Sequence, residues 1–242
     1  MTTIDAHAKL TLTLAVTGVR ADGFHLIDAH MVSLEIADSI IITEADTTSI
    51  SVTGPYAQGV PTDHTNIVHA ALQLANRTAH VAIEKNIPHG GGLGGGSTDA
   101  AAVLRWANFT DVAASATVGA DVAFCLSGGS ARVRGIGEIS EPLASVDTPI
   151  TLFIPPIQVS TPSVYRAWDH LGGPSGDNGN DLEPAALHAY PELQTWRNTI
   201  ESAIGIRPKL AGSGATWFVL GHTQHDSAQL AGVQVVYTAT RP

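Results

Sequence analysis

The chain has 242 residues, 44% of them apolar and 14% charged, and carries a formal net charge of −10. That balance excludes intrinsic disorder, and an acidic chain without basic clusters excludes non-specific binding to nucleic acid or to anionic membranes. The length suits one domain or two compact lobes around a sizeable core.

No apolar run approaches the roughly eighteen residues of a spanning helix, and MTTIDAHAKL lacks both parts of a secretory signal, so a cytoplasmic protein is expected. Cys125 is the single cysteine, and the eleven histidines are scattered without any zinc-like spacing. Neither an internal disulfide nor a metal site built from protein ligands is expected.

Residues 9–16, KLTLTLAV, alternate strictly. Leu10, Leu12, Leu14 and Val16 point one way and Lys9, Thr11 and Thr13 the other, which describes a half-buried strand with one polar face. After an Asp22-Gly23 turn, HMVSLEIA resumes the alternation, and DSIIITEA and TSISVTG read as two more strands of an antiparallel meander. Ile67, Ala70, Ala71 and Leu74 are spaced for a helix entered at Asn66, and HVAIEKNIP is a strand ended by Pro88. Beyond a run of glycines, Ala100 to Ala107 form a helix with Ser97 as its N-cap and Asp99 in its first turn.

DVAASATVG gives a shorter helix and GSARVRGIGE a strand and turn. TPITLFIPP opens a new apolar strand, which marks a boundary near residue 150. PSVYRAWDHLG is a helix stopped by Gly172-Gly173, and GGPSGDNGND is a mobile surface loop. Helices over 183–189 and 191–203 and the strands ATWFVLG and VQVVYTA complete the chain. The class is α+β, with an N-terminal lobe over 1–148 and a smaller C-terminal lobe over 149–242.

The glycine run lies in IPHGGGLGGGSTDAAAVL, where a strand enters and a helix leaves, so a flexible linker is disfavoured. Gly90, Gly92 and Gly95 satisfy G-x-G-x-x-G, but a run this rich in glycine does so almost automatically, and Asp111 precedes a helix instead of ending a second strand. A Walker A loop fails because no Lys-Ser or Lys-Thr follows the last glycine. What remains is a strand, a loop of exposed amides and a helix start where a phosphate fits, with no β-carbons to hold it away. Phosphoryl transfer follows as the reaction class.

IPHGGGLGGGSTDAA resembles the phosphate-binding motif of the GHMP small-molecule kinases, most closely that of the 4-diphosphocytidyl-2-C-methyl-D-erythritol kinase family. AHAKLTLTL resembles that family's opening strand, RADGFHLIDAHM its substrate hairpin and GADVAFCLSGGSARVRGIGE its catalytic-aspartate segment. VSTPSVYRAW, NDLEPAA and LAGSGATWFVLG match its second lobe, so the motifs are collinear over nearly the whole chain. The resemblance implies a two-lobed fold, with a ribosomal-protein-type N-terminal lobe, a ferredoxin-like C-terminal lobe and the site between them.

It further implies that ATP with Mg2+ phosphorylates the 2-hydroxyl of 4-diphosphocytidyl-2-C-methyl-D-erythritol, with Asp121 as base and Lys9 orienting it. Read on periodicity alone, Lys9 is an edge lysine and Asp121 a helix cap, although the polar face of its strand would let Lys9 reach a cleft. By resemblance, Gly90, Gly91, Gly92, Leu93, Gly94, Gly95 and Gly96 wrap the ATP phosphates, with Ser97 and Thr98 offering hydroxyls. Asn66 matches an asparagine near adenine, compatible with its being an N-cap, and Lys85 matches a lysine facing phosphate, with a solvated strand end as the alternative.

On the acceptor side stand Thr11, Phe24, His25, Tyr165, Gly212 and Ser213, with Phe24 and Tyr165 placed to sandwich a pyrimidine and His25 to bond its edge. Thr11 replaces the family's usual asparagine, Phe24 its tyrosine, His89 is an atypical entry to the loop, and the 99–121 span is short. Alternatives are another GHMP kinase acting on mevalonate, homoserine or a sugar, and a nucleotide-binding protein without turnover. The partner is a small molecule, with no nucleic acid or membrane, and the oligomeric state is open between monomer and homodimer.

Overall fold

The computed structural model describes residues 1–88, 90–225 and 228–242, so His89 and the remarks attached to it lie outside the described residues. Two long strands, β1 (Thr2–Val19) and β2 (His25–Glu44), form an antiparallel hairpin through the Asp22-Gly23 turn, where Gly23 takes φ +85°. Register shifts between His7 and Lys9 and between Thr11 and Thr13 interrupt the pairing. These bulges re-aim side chains. Between them Ala8, Lys9, Leu10 and Thr11 are all buried, so the polar face read from the alternation is covered at Lys9 and Thr11 and meets solvent only at Thr13.

The expected meander is corrected by the next strands. β3 (Ser49–Thr53) pairs in parallel with β4 (Ala79–Glu84), and β4 lies between β3 and β2. Parallel neighbours need a crossover, which helix α1 (Ile67–Leu74) supplies. The two segments read as separate strands over 30–45 are one, β2. Its 20 residues serve three neighbours in succession: β5 (Ser130–Gly135) along 27–32, the C-terminal strand at 33–34 and β4 along 39–44.

Helix α2 (Gly95–Trp106) packs on β1, α1 and α4 (Val122–Ser127), with the short α3 (Val112–Ser115) between, and β6 (Ile139–Pro142) closes on β5. Ala100, Ala101 and Ala102 are fully buried, which brings the helix axis close to its neighbours. The second half consists of β7 (Pro149–Ile154), α5 (Thr161–His170), α6 (Glu183–Ala189), α7 (Glu192–Ile204), β8 (Lys209–Leu210), β9 (Trp217–Leu220) and β10 (Gln234–Arg241). Its sheet order is β10-β7-β9-β8, and Thr240 and Arg241 of β10 continue onto β2. Two halves are thereby sewn into one sheet. Among the described residues no helix is long and apolar enough to cross a membrane.

GGPSGDNGND is not a free surface loop. Its end is tied to β1, with Leu14 N donating to Gly179 O at 2.9 Å, Asp181 N to Leu14 O at 2.8 Å and Val16 N to the Asp181 carboxylate at 2.9 Å. Asn180 is buried. A core cluster of Leu10, Val32, Leu34, Leu152 and Phe218 draws on both halves, and Leu93 of the glycine run plugs into it fully buried. Burying that leucine is worth about 1.5–3 kcal/mol, which fixes the loop's depth without any help from ligand.

Candidate active site

The floor of the cleft is set by β1. Lys9 is 6% exposed, and its Nζ lies 3.0 Å from the Asp121 carboxylate and 3.3 Å from Thr11 Oγ1. Its backbone amide donates to Leu93 O at 3.0 Å, so the lysine is clamped beneath the glycine loop. Asp121 stands at the start of α4, yet its side chain caps no helix amide; it reaches across to Lys9 and stays about one-third exposed to the cleft. The edge-lysine and helix-cap readings of these two residues do not describe this geometry.

Glycine is required in the loop for a reason that can be located. Gly92 has φ +79°, and a Cβ there would press into the carbonyl of Ala211 and lie 2.9 Å from that of Gly214. At Gly94, φ +67°, the added carbon would strike the Lys9 stem, with Cε at 3.1 Å. The loop carbonyls are engaged by the second half, Thr216 N donating to Gly91 O at 3.1 Å. Helix α2 begins at Gly95, with Gly94 as an N-cap whose missing side chain caps nothing. The amides of Gly95, Gly96 and Ser97 therefore end the helix without intrahelical acceptors, at its positive pole.

Ser97 is corrected from N-cap to first-turn residue: only glycine enters the left-handed cap conformation cheaply, so the helix starts at the glycines. Asp99 accordingly sits deeper, one turn into the helix, and is buried.

Beneath that helix start lies a buried charge cluster. Lys85, 1% exposed, pairs with Asp38 and, at 2.7 Å, with Asp99. Asp38 also accepts from the amides of Asn86 (2.5 Å) and Ile87 (2.8 Å). Burial pushes the Asp99 pKa well up and the Asp38 charge adds to it, against the opposing pull of Lys85. Burial thus favours the protonated form of Asp99. A Cβ on Gly95 would lie 3.2 Å from Lys85 Nζ, which shows how closely the cation underlies the helix start. Lys85 does not line the cleft. Both surface and phosphate-facing readings of this residue are replaced by a structural one.

At the far end His25 packs on Tyr165, with ring centroids 4.5 Å apart, and on the edge of Trp168 at 5.4 Å. Its Nε2 is 2.8 Å from Asp169 Oδ1. Burial, followed by the nearby Asp121 charge, pushes the Tyr165 phenol up to about 12, so the ring stays neutral. Gly212 and Ser213 close the wall, with Ser213 Oγ 2.8 Å from Thr161 Oγ1. Asn180 Nδ2 donates to the carbonyls of Leu210 (3.0 Å) and Gly212 (2.7 Å), holding that wall in place.

The cleft of about 410 Å³ thus brings together Lys9, Thr11, His25, Gly90 to Ser97, Asp121, Tyr165, Gly212 and Ser213. Four expected residues stand apart. Phe24 is 56% exposed, with Arg20 over its ring at 5.7 Å, so it forms no sandwich with Tyr165. Thr98 donates its hydroxyl to His7 O instead of facing the cleft. Asn66 caps α1, its Oδ1 accepting from Val68 N at 2.9 Å, while its neighbour Ile67 reaches the cleft. The fourth is Lys85. Thr161, Asp169 and Asn180 went unseen because each acts through tertiary neighbours, although NDLEPAA already drew attention to the segment of Asn180.

Residues 65–129 match the GHMP kinases N terminal domain. A 4-diphosphocytidyl-2-C-methyl-D-erythritol kinase of Cereibacter sphaeroides is 36% identical over 248 residues, covering 91% of this chain and 89% of its own. The chain belongs to the GHMP kinase family. The same enzyme of Paracoccus denitrificans is 36% identical to this GHMP kinase, covering 94% of it and 91% of the relative. A crystal structure of 4-(cytidine 5'-diphospho)-2C-methyl-D-erythritol kinase superposes with a TM-score of 0.78 at 30% identity, covering 99% of both chains. Family membership implies ATP-dependent phosphoryl transfer. Among the described residues no cluster of three or more His, Cys, Asp or Glu could hold a metal ion.

Proposed function

We propose that this protein transfers the γ-phosphate of ATP to the 2-hydroxyl of 4-diphosphocytidyl-2-C-methyl-D-erythritol, in the cytoplasm, in a cleft between lobes spanning 1–148 and 149–242. The observation that carries the reading is the Lys9–Asp121 pair at 3.0 Å, facing an uncapped helix start. Such transfer is mostly positioning and charge stabilisation. The Gly95, Gly96 and Ser97 amides and the Ser97 hydroxyl are suited to hold the phosphates. Asp121 accepts the hydroxyl proton as the oxygen bonds to phosphorus and the bond to the departing ADP oxygen breaks. Lys9 offsets the charge that develops beside it.

Mg2+, when bound, neutralises charge on the β and γ phosphates. With Ser97 and Asp121 as the donors at hand, the residues fit an ion held chiefly by nucleotide phosphates, the usual mode for magnesium.

The His25–Tyr165 wall favours an acceptor bearing a nucleobase over mevalonate, homoserine or a sugar, since a small acceptor needs no aromatic surface. ATP consumption measured with each acceptor tests this. Turnover with the diphosphocytidyl acceptor alone is expected; equal or greater turnover with mevalonate or homoserine overturns it.

A further inference from the structure

A second cavity, of about 360 Å³, shares no lining residue with the cleft. It lies where the C-terminal ends of α2 and α4 meet β1 and the end of β10, and its polar lining includes Arg105, Arg241 and His7. The other arginines make this notable. Arg20, Arg77, Arg132, Arg134, Arg197 and Arg207 each pair with a carboxylate, and Arg166 donates to Ser163 on an exposed face. Arg105 and Arg241 have no carboxylate partner within 4.0 Å among the described residues.

Each is nevertheless oriented. Arg105 Nη1 donates to Cys125 O at 2.6 Å, and Arg241 Nη1 donates to His7 Nε2. His7 accepts that bond as a neutral ring: its Nδ1 faces Leu34 O at 3.1 Å, and burial followed by the Arg241 charge keeps its pKa down. The guanidiniums feel one another, and burial together with the Arg241 charge depresses the Arg105 pKa. Among the described residues Asp5 is the one acidic side chain lining the cavity. In a chain of net charge −10, two cations sharing a concave site whose one acidic side chain, Asp5, pairs with neither of them suit a ligand with more than one negative charge.

We propose that this cavity binds a small molecule bearing a phosphate or diphosphate group, with Arg105 and Arg241 holding the oxyanion. Guanidinium forks match such groups, and the volume leaves room for an organic remainder. The site touches the catalytic cleft through two short links. Thr98 lines the cavity and Ser97 the cleft, and Cys125 N donates to Asp121 O at 3.0 Å within α4. The proposal stands apart from the acceptor assignment, because its test reads binding and not turnover.

The experiment titrates inorganic pyrophosphate calorimetrically into the full chain saturated with a non-hydrolysable ATP analogue and with the diphosphocytidyl acceptor, which together fill the cleft. One remaining site is expected, weakened at least about tenfold in Arg241→Gln and in Arg105→Gln. Arg241 is exposed, so its variant is expected to keep the wild-type melting temperature and nucleotide affinity, which separates lost contact from lost fold. Absence of binding once nucleotide is present, or equal affinity in the Arg241 variant, overturns the proposal. Sulfate binding as tightly as pyrophosphate overturns the phosphate assignment by marking an adventitious ion only.

Discussion

Substituting alanine for Gly92 isolates what the glycine loop does before any ligand arrives. The residue sits at φ +79°, where a β-carbon costs about 1–2 kcal/mol. The same carbon would press on two backbone carbonyls, of Ala211 and Gly214, which no rotamer change relieves, and overpacking of this kind adds about 1–3 kcal/mol. A destabilisation of about 2–5 kcal/mol lowers the melting temperature of a chain this size by roughly 4–20 °C. Gly96→Ala is the control. Its added carbon meets only Ile67 Cγ2, at 3.4 Å, inside α2, where alanine gains up to about 1 kcal/mol of helix propensity. Thermal unfolding without ligand, followed by ATP turnover, checks both. A Gly92→Ala protein melting within about 2 °C of wild type with full turnover would refute this packing of the loop against Ala211 and Gly214.

Asp121→Asn is expected to lower turnover by about 10²–10⁴-fold while ATP affinity is kept; unchanged turnover in steady-state assays removes the assignment of the base. The proton on Asp99 gives a pH signature. Its pKa is raised from the ordinary 3.8 to about 8 in the fold, so the folded state holds more protons than the unfolded one across that window, and its contribution to stability is lost as pH rises through it. Asp99→Asn, which mimics the protonated form, is expected to flatten denaturation midpoints between pH 4 and 8; a parallel slope in variant and wild type contradicts this. On the acceptor side, Tyr165→Leu is expected to raise the acceptor KM by about tenfold, in the range of base stacking, with the ATP KM unchanged. Phe24→Ala is expected to change it by less than about twofold, because the ring is exposed. Reversal of that order in the two KM values would restore the sandwich.

Much of the site was legible because it is written in short contiguous signals. A strand, a run of glycines and an alanine-rich helix can only form a loop of bare amides at a helix start, and collinear motifs supplied the distant Lys9 and Asp121. The errors fell where a residue's partner is remote in sequence. Lys85 reads as a strand-end lysine until α2 is laid over it, and then its ammonium meets Asp38 and Asp99 instead of solvent. Phe24 and Tyr165 resemble two jaws until the hairpin turn places the first in water.

The amino-acid order alone determined the α+β class, the glycine loop and the α2 helix, since propensity, periodicity and the conformational freedom of glycine act over a few residues. Tertiary structure alone decided that β4 enters between β2 and β3, that β10 joins the two halves and that Asn180 braces the cleft wall. Alternation specifies that a strand has two faces but not which neighbour covers each. The raised pKa of Asp99 has the same origin, because dielectric and partner distance belong to the assembled core and to no stretch of sequence.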